Sequence, residues 1–228
     1  MTVLGYYPSA TRPFEGSMMT AVSSALENRD GKFHGCKIEA TTLHPMMHAN
    51  LAQWPGDPAG MKRQLAMFNH GVPLVVLTRD RDRGRVTVDE DGEPHVEYTI
   101  SECDGASAAE GLVAAARILV ATGAHTVVTG QVDVPMFKVP SNDVAHPETV
   151  AHCERIARAG VKPLRAGMFS AHQMGTARMS TAPNRGVTNA RGKVWGVDGL
   201  YVADGSLFPS PSGVNPMVTI YAVAYSVA

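Results

Sequence analysis

One histidine and one asparagine near the end of the chain stand in loops of the kind that build reactive sites. His172 lies where an apolar stretch gives way to Gly175. A neutral imidazole titrates near physiological pH, so His172 is a candidate proton acceptor. Asn215-Pro216 predicts a helix start, because asparagine is a preferred N-cap and proline a preferred first helical residue. Free N–H groups at a helix start attract anions, so the two segments could handle a proton and an anion.

Both residues also have structural interpretations. A lone histidine is more often a packed side chain than a catalytic one, and Asn215 could serve only as a helix cap.

A third segment, Asp204-Gly205-Ser206, follows a predicted buried strand at residues 200–203. Its glycine would permit close approach of backbone to a ligand. Its carboxylate could accept a hydrogen bond from a ligand hydroxyl, although an ordinary acidic turn is the alternative.

Two other groupings of polar residues carry a weaker signal. His44 and His48 have the i,i+4 spacing with which two histidines can bind a metal ion on a helix. No glutamate follows His44 as in the H-E-x-x-H motif, and no third ligand is evident, so we predict no metal site. The segment 79–85, RDRDRGR, mixes charges of both signs and is interpreted as a solvated turn.

Composition limits the classes of partner. A formal net charge of −1 gives no reason to expect nucleic acid as a partner. The apolar run at residues 218–228 is too short to cross a bilayer, so membrane association is expected to be peripheral at most. The start of the sequence has no secretory-signal pattern. The chain has 3 cysteines, none in C-x-x-C spacing, which favours a reducing, cytoplasmic environment.

Alternating and apolar patterns predict the elements that must position these loops. Two β-rich runs around an Asp-Gly turn indicate an antiparallel hairpin. One helix is predicted from an Asp104 cap to Gly123, and a second over 148–159, after Pro147. Strands are predicted at residues 37–43, 72–78, 85–88, 95–100 and 126–129. We expect an α+β fold, an antiparallel sheet backed by helices, with one part at 1–165 and another at 166–228.

Five segments of the chain carry distinctive motifs: GYYPSATRPFEGSMMT, RDRDRGRV, HVEYTISECDGASAAEGLVAAARILVATGA, FSAHQMGTARM and GLYVADGSLFPSPSGVNPMVTIYAVAYSVA. These motifs resemble those of the glucose–methanol–choline (GMC) oxidoreductases, in particular the long-chain fatty alcohol oxidase branch. The resemblance covers nearly the whole chain, and its carboxy-terminal motifs are specific because unusual residues recur at fixed separations.

The resemblance implies FAD-dependent oxidation of an alcohol, long-chain and aliphatic in this branch, to an aldehyde by hydride transfer to the flavin. It implies that His172 and Asn215 form the catalytic pair, with His172 as the base and Asn215 holding the alcohol oxygen. It also implies that Gly205, Pro216 and Met217 lie against the flavin, and Asp204 is expected to contact the cofactor through a ribityl hydroxyl because of its place in the turn. The family's substrate domain is an antiparallel sheet backed by helices, as predicted from the patterns above.

A G-x-G-x-x-G dinucleotide-binding motif is missing from the sequence. We therefore expect this chain to be the carboxy-terminal part of such an enzyme, with segment 166–228 packing on a missing or separate FAD-binding domain. Two alternatives stay open. The chain could be a catalytically inactive binding or interaction module, or a gene fragment, and the enzyme could act on a sterol or a small polar alcohol.

Overall fold

A computed structural model describes residues 1–228. The chain forms two compact units, the first made of Met1–Thr78 and Ile100–Met168 and the second of Arg79–Thr99 and Phe169–Ala228. The division into domains at 1–165 and 166–228 stays a prediction. The compact units differ from it in assigning the 79–99 segment to the same unit as the carboxy-terminal segment.

Eight strands and five α-helices make up the regular structure. The strands are β1 (Thr2–Tyr6), β2 (Val22–Leu26), β3 (Cys36–Ala40), β4 (Gly71–Thr78), β5 (Arg85–Val88), β6 (Pro94–Glu97), β7 (Thr126–Thr129) and β8 (Phe137–Lys138). The helices are α1 (Pro45–Leu51), α2 (Pro58–Ala66), α3 (Glu102–Ala121), α4 (Pro147–Ala159) and α5 (Met217–Val227). Short 3₁₀ turns occur at Phe68–His70 and Gly205–Leu207.

The first unit is built on an antiparallel sheet with strand order β2-β3-β4-β1-β7-β8. Strand β1 is buried along its whole length, as expected for a central strand between β4 and β7. The predicted strands at 72–78 and 126–129 are confirmed, and the strand predicted at 37–43 runs over Cys36–Ala40. Together with the helices, the sheet confirms the predicted α+β class.

Helix α3 packs on this sheet through a stripe of small and aliphatic residues. A Cβ on Gly111 would lie 2.4 Å from Cγ1 of Val76 and 2.7 Å from Sγ of Cys36, so only glycine allows this close approach. The predicted cap at Asp104 is wrong. Ser101 is the N-cap, and its hydroxyl oxygen accepts from the Asp104 N–H at 3.1 Å while donating to the Asp104 carboxylate at 2.9 Å. This reciprocal pair is a variant of the capping box, in which the acidic residue stands three positions inside the helix.

The second unit contains the hairpin, the 169–216 loops and α5. Strands β5 and β6 pair antiparallel, which confirms the predicted hairpin. The buried strand predicted at 200–203 is wrong, because Tyr201 forms only an isolated bridge with Lys193. Leu200 and Tyr201 are 48% and 52% exposed. The segment has no neighbouring strand with which to form a longer ladder.

None of the helices has both the length and the hydropathy needed to cross a lipid bilayer.

Candidate active site

The loop that carries His172 is joined to the turn that carries Asp204. Three backbone hydrogen bonds connect the two segments: Gly175 N–H to Gly205 O at 3.2 Å, Ala177 N–H to Ser206 O at 3.0 Å, and Met179 N–H to Leu207 O at 2.9 Å. The His172 side chain is half-buried. Beside it, the Gln173 amide donates to the Ser170 carbonyl at 2.7 Å. The segment is therefore fixed by its backbone and its neighbours.

Two glycines allow the close approach of these segments. Gly175 has φ of +83°, and a Cβ there would lie 3.1 Å from the Phe208 carbonyl oxygen. Gly205 is buried, and a Cβ on it would lie 3.2 Å from Cδ1 of Ile220 and 3.6 Å from the Gln173 carbonyl oxygen. Since Ile220 belongs to α5, Gly205 is the point at which the His172 loop, the turn and this helix meet.

Asp204 caps the 3₁₀ turn that follows it. Its carboxylate accepts from the Ser206 N–H at 2.8 Å. Hydrogen bonds from the side chain and backbone of Ser206 hold the pKa of Asp204 below its usual value. The side chain is exposed and anionic at neutral pH. It can accept a further hydrogen bond, because a carboxylate has several acceptor positions.

Helix α5 begins one residue later than predicted. Pro216 is the N-cap, and its carbonyl oxygen accepts from the Ile220 N–H at 2.8 Å. Asn215 thus precedes the cap instead of forming it, because the first hydrogen bond of the helix is accepted by the Pro216 carbonyl and not by that of Asn215. Pro216 is buried, whereas Asn215 and Met217 are exposed on either side of it.

His44 and His48 lie in the first unit and have structural contacts there. The His44 ring accepts from the Met47 N–H at 3.3 Å, which caps α1. The buried His48 ring shares a 2.8 Å hydrogen bond with the Tyr6 hydroxyl. Burial lowers the pKa of His48 and raises the pKa of Tyr6 to about 12. Both side chains are therefore neutral at physiological pH.

One residue near these loops was missed by sequence reasoning. Arg79 was interpreted as part of a solvated turn, but its side chain is half-buried and its Nε donates to the Pro211 carbonyl oxygen at 2.9 Å. Its partner is distant in the sequence, and no local pattern signals such a contact. The mixed charges of the neighbouring residues indicated a solvated turn instead of this contact.

Comparisons with known proteins agree with the motifs. A family model described as GMC oxidoreductase matches residues 80–224. The chain is 30% identical to the long-chain-alcohol oxidase FAO4A and 31% identical to FAO4B, both from Arabidopsis thaliana, over 95% and 98% of its length. It spans only 29% and 30% of those two relatives.

Among solved structures, pyridoxine 4-oxidase from Mesorbium loti superposes with a TM-score of 0.54 at 16% sequence identity. The match covers 99% of this chain and 41% of that one, and it supports the fold.

Proposed function

Since this chain belongs to the GMC oxidoreductase family, whose members are FAD-dependent flavoproteins, we propose that it is the carboxy-terminal part of an enzyme that oxidises an alcohol to an aldehyde. A long-chain aliphatic alcohol is the proposed substrate, because the similarity to two long-chain-alcohol oxidases extends over almost the whole chain. The observation that carries the proposal is the meeting of the His172 loop, the Asp204 turn and α5 at Gly205.

The start of α5 has donors that suit the electron-rich edge of a flavin. The helix has 11 residues, and its N-cap is a proline, which brings no side-chain acceptor to the first turn. N–H groups in a first turn lack intrahelical partners and favour a ligand that carries negative charge. Gly205, Pro216 and Met217 would lie against the flavin, and Asp204 would accept a hydrogen bond from a ribityl hydroxyl. When bound, FAD supplies the acceptor that receives two electrons as a hydride.

His172 is proposed to act as the general base. A primary alcohol becomes an aldehyde by losing the hydroxyl proton and a hydride from the adjacent carbon. An imidazole nitrogen of neutral His172 would take the proton, which leaves the electrons of the O–H bond to form the carbonyl. A positioned base of this kind typically contributes ~10²–10⁴-fold to the rate.

Asn215 is proposed to hold the substrate oxygen. Its carboxamide N–H would donate a hydrogen bond to the alcohol oxygen, which orients the carbon that loses the hydride and stabilises negative charge that develops on the oxygen. Asn215 is exposed and directly precedes a buried proline. Its side chain is therefore accessible to a substrate while the adjoining backbone is held in place, which supports this role.

The second unit is also proposed to pack on an FAD-binding domain. Helix α5 has no buried residue, although its sequence, MVTIYAVAYSV, is almost entirely apolar. An apolar helix with no buried residue is expected to be covered by a partner. The missing G-x-G-x-x-G motif and the 29% and 30% coverage of the relatives support an FAD-binding domain as that partner. We place the assembly in the cytoplasm, since the three cysteines are free.

Co-expression with a GMC FAD-binding domain tests the proposal. The flavin-loaded complex would be assayed for aldehyde formation with long-chain 1-alkanols, a sterol and short polar alcohols. We expect turnover that is fastest with the long-chain alcohols. Faster turnover of the sterol or a polar alcohol would leave the reaction type intact and overturn the substrate class. No turnover with any of them would overturn the enzymatic proposal.

A binding or interaction module without catalysis is the second candidate. This candidate requires that no FAD-binding domain accompanies the chain. The reading frame directly upstream of Met1 distinguishes the two candidates. A frame that encodes a G-x-G-x-x-G motif favours the enzyme, and an unrelated gene favours the module.

A further inference from the structure

The four arginines of the segment 79–85 differ in their surroundings. Arg81, Arg83 and Arg85 are exposed, whereas Arg79 is half-buried. An arginine side chain can donate several hydrogen bonds to carbonyl oxygens and other acceptors, because its planar guanidinium presents five N–H donors in a fixed arrangement. Arg79 is therefore the arginine of this segment whose side chain is partly removed from solvent.

Arg79 contacts the loop before Asn215 in two ways. Its Nε donates to the Pro211 carbonyl oxygen at 2.9 Å. Its aliphatic stem lies against Gly213, where a Cβ would fall 2.7 Å from Cδ, 3.0 Å from Cγ and 3.1 Å from Cβ of the arginine. Gly213 also has φ of +65°, a conformation that glycine adopts readily and other residues do not. The loop is thus shaped to receive this particular side chain.

The contacted loop leads directly into Asn215. The Ser212 hydroxyl donates to the Val214 carbonyl oxygen at 2.5 Å. This bond fixes the turn around Gly213, directly before the asparagine. On the other side, the carbonyl oxygen of buried Pro216 accepts the first hydrogen bond of α5. The backbone of Asn215 is therefore held from both directions, by the Arg79 contact and by the helix.

We propose that Arg79 is a positioning residue for Asn215. By binding Pro211 and packing on Gly213, it fixes the direction in which the Asn215 carboxamide is presented to the alcohol oxygen. The inference rests on the proposed function in one respect, the role of Asn215 in holding that oxygen. Displacement of a substrate-orienting group by about 1 Å is enough to lower a rate by ~10²-fold.

The test uses the flavin-loaded complex and compares Arg79→Met with Arg83→Ala. Methionine retains an unbranched stem beside Gly213 and removes the Nε donor, whereas Arg83 is an exposed arginine of the same segment. Rapid mixing with alcohol gives the rate of flavin reduction. We expect Arg79→Met to lower that rate about ten- to hundred-fold, and Arg83→Ala to leave it unchanged.

A double-mutant cycle separates positioning from a general structural effect. If Arg79 acts through Asn215, the double variant Arg79→Met/Asn215→Ala reduces flavin at the rate of Asn215→Ala alone. Multiplicative losses would overturn the proposal, as would a wild-type reduction rate in Arg79→Met. If Asn215→Ala itself reduces flavin at the wild-type rate, the proposed role of Asn215 fails instead.

Hydrogen–deuterium exchange tests the contact without relying on activity. In Arg79→Met, amides between residues 211 and 220 should exchange faster than in Arg83→Ala, while those of α3 should exchange at the same rate in both variants. Unchanged protection of 211–220 would overturn the proposal even if the complex proved to have no activity towards alcohols.

Discussion

The backbone N–H of Gly175 donates to the carbonyl oxygen of Gly205 at 3.2 Å. This bond joins the loop after His172 to the turn after Asp204. Through the contact of Gly205 with Ile220, the connection extends to the helix that Asn215 precedes. Segments that are separated in the sequence are thereby joined within the second unit.

Replacing Gly175 should destabilise the second unit more than replacing a comparable glycine. Gly175 and Gly196 both have positive φ, +83° and +74°, but their surroundings differ. A Cβ on Gly175 would lie 3.1 Å from the Phe208 carbonyl oxygen, whereas a Cβ on Gly196 would meet no atom within 4 Å. Gly196→Ala should lower the free energy of unfolding by about 1 kcal/mol through φ strain. Gly175→Ala should lower it by about 1–3 kcal/mol more, because a methyl group must displace backbone.

Urea unfolding of the two glycine variants checks this order. The midpoint of Gly175→Ala should lie below that of Gly196→Ala, and equal midpoints would contradict the expectation.

Local signals in the sequence were sufficient for several elements. The Asp-Gly turn predicted the β5–β6 hairpin, and Pro147 with Gly160 predicted the bounds of α4 to within one residue. Each of these features depends on the conformational preferences of a few adjacent residues. Gly160 has φ of +63° and ψ of −168°, for example, a conformation that is essentially restricted to glycine.

Features that depend on distant partners could not be predicted. Residues 200–203 have a strand-like apolar pattern, but a pattern does not specify whether a neighbouring strand exists to pair with. The same limit applies to Arg79, whose partner Pro211 lies far along the chain. The family motifs pointed to His172 and Asn215 as candidates, whereas the contacts of the His172 loop and α5 at Gly205 could be seen only in the fold.

Stability should fall in mild acid because of His152. The side chain is 3% exposed and stacks on Phe137. Burial, with a smaller effect from the charge of Arg155, lowers its pKa from 6.5 to about 4. The unfolded chain therefore binds a proton below pH 6.5 that the folded chain does not bind until about pH 4. The free energy of unfolding is therefore highest, with respect to this group, above pH 6.5. It falls progressively on acidification, by on the order of 3 kcal/mol.

Comparison of variants isolates this contribution. His152→Phe should lack the component of the pH dependence that arises between pH 6.5 and 4, whereas a variant of the exposed His95, His95→Ala, should retain it. The measurement is the free energy of unfolding from urea titrations at several pH values. Identical pH profiles for wild type and His152→Phe would show that burial of this ring does not govern acid stability.

The chain without its proposed partner domain should expose the apolar surface of α5. Val218, Tyr221 and Tyr225 are 72%, 66% and 86% exposed, and exposed apolar patches of several hundred Å² drive association. We expect the isolated chain to bind a hydrophobic dye and to aggregate. Tyr221→Lys/Tyr225→Lys should reduce both effects, whereas Val88→Lys on the hairpin should not. A monomer that binds no dye would contradict the expectation.

The isolated chain should also be colourless. It contains candidates for one side of a flavin site, but no glycine-rich loop that could hold the pyrophosphate of FAD. Absorbance in the flavin region, measured after purification in the presence of excess FAD and removal of the free cofactor, checks this expectation. Stoichiometric FAD in the isolated chain would mean that the cofactor is held by residues other than those assigned.

The rate of flavin reduction in His172→Ala tests the central claim most directly. It would be measured by rapid mixing of the flavin-loaded complex with a long-chain alcohol, alongside His44→Ala, which alters a histidine that caps α1 in the first unit. The proposed base predicts a loss of ~10²–10⁴-fold in His172→Ala and a wild-type rate in His44→Ala. A folded, flavin-loaded His172→Ala variant that is reduced at the wild-type rate would contradict the assignment of His172 as the base.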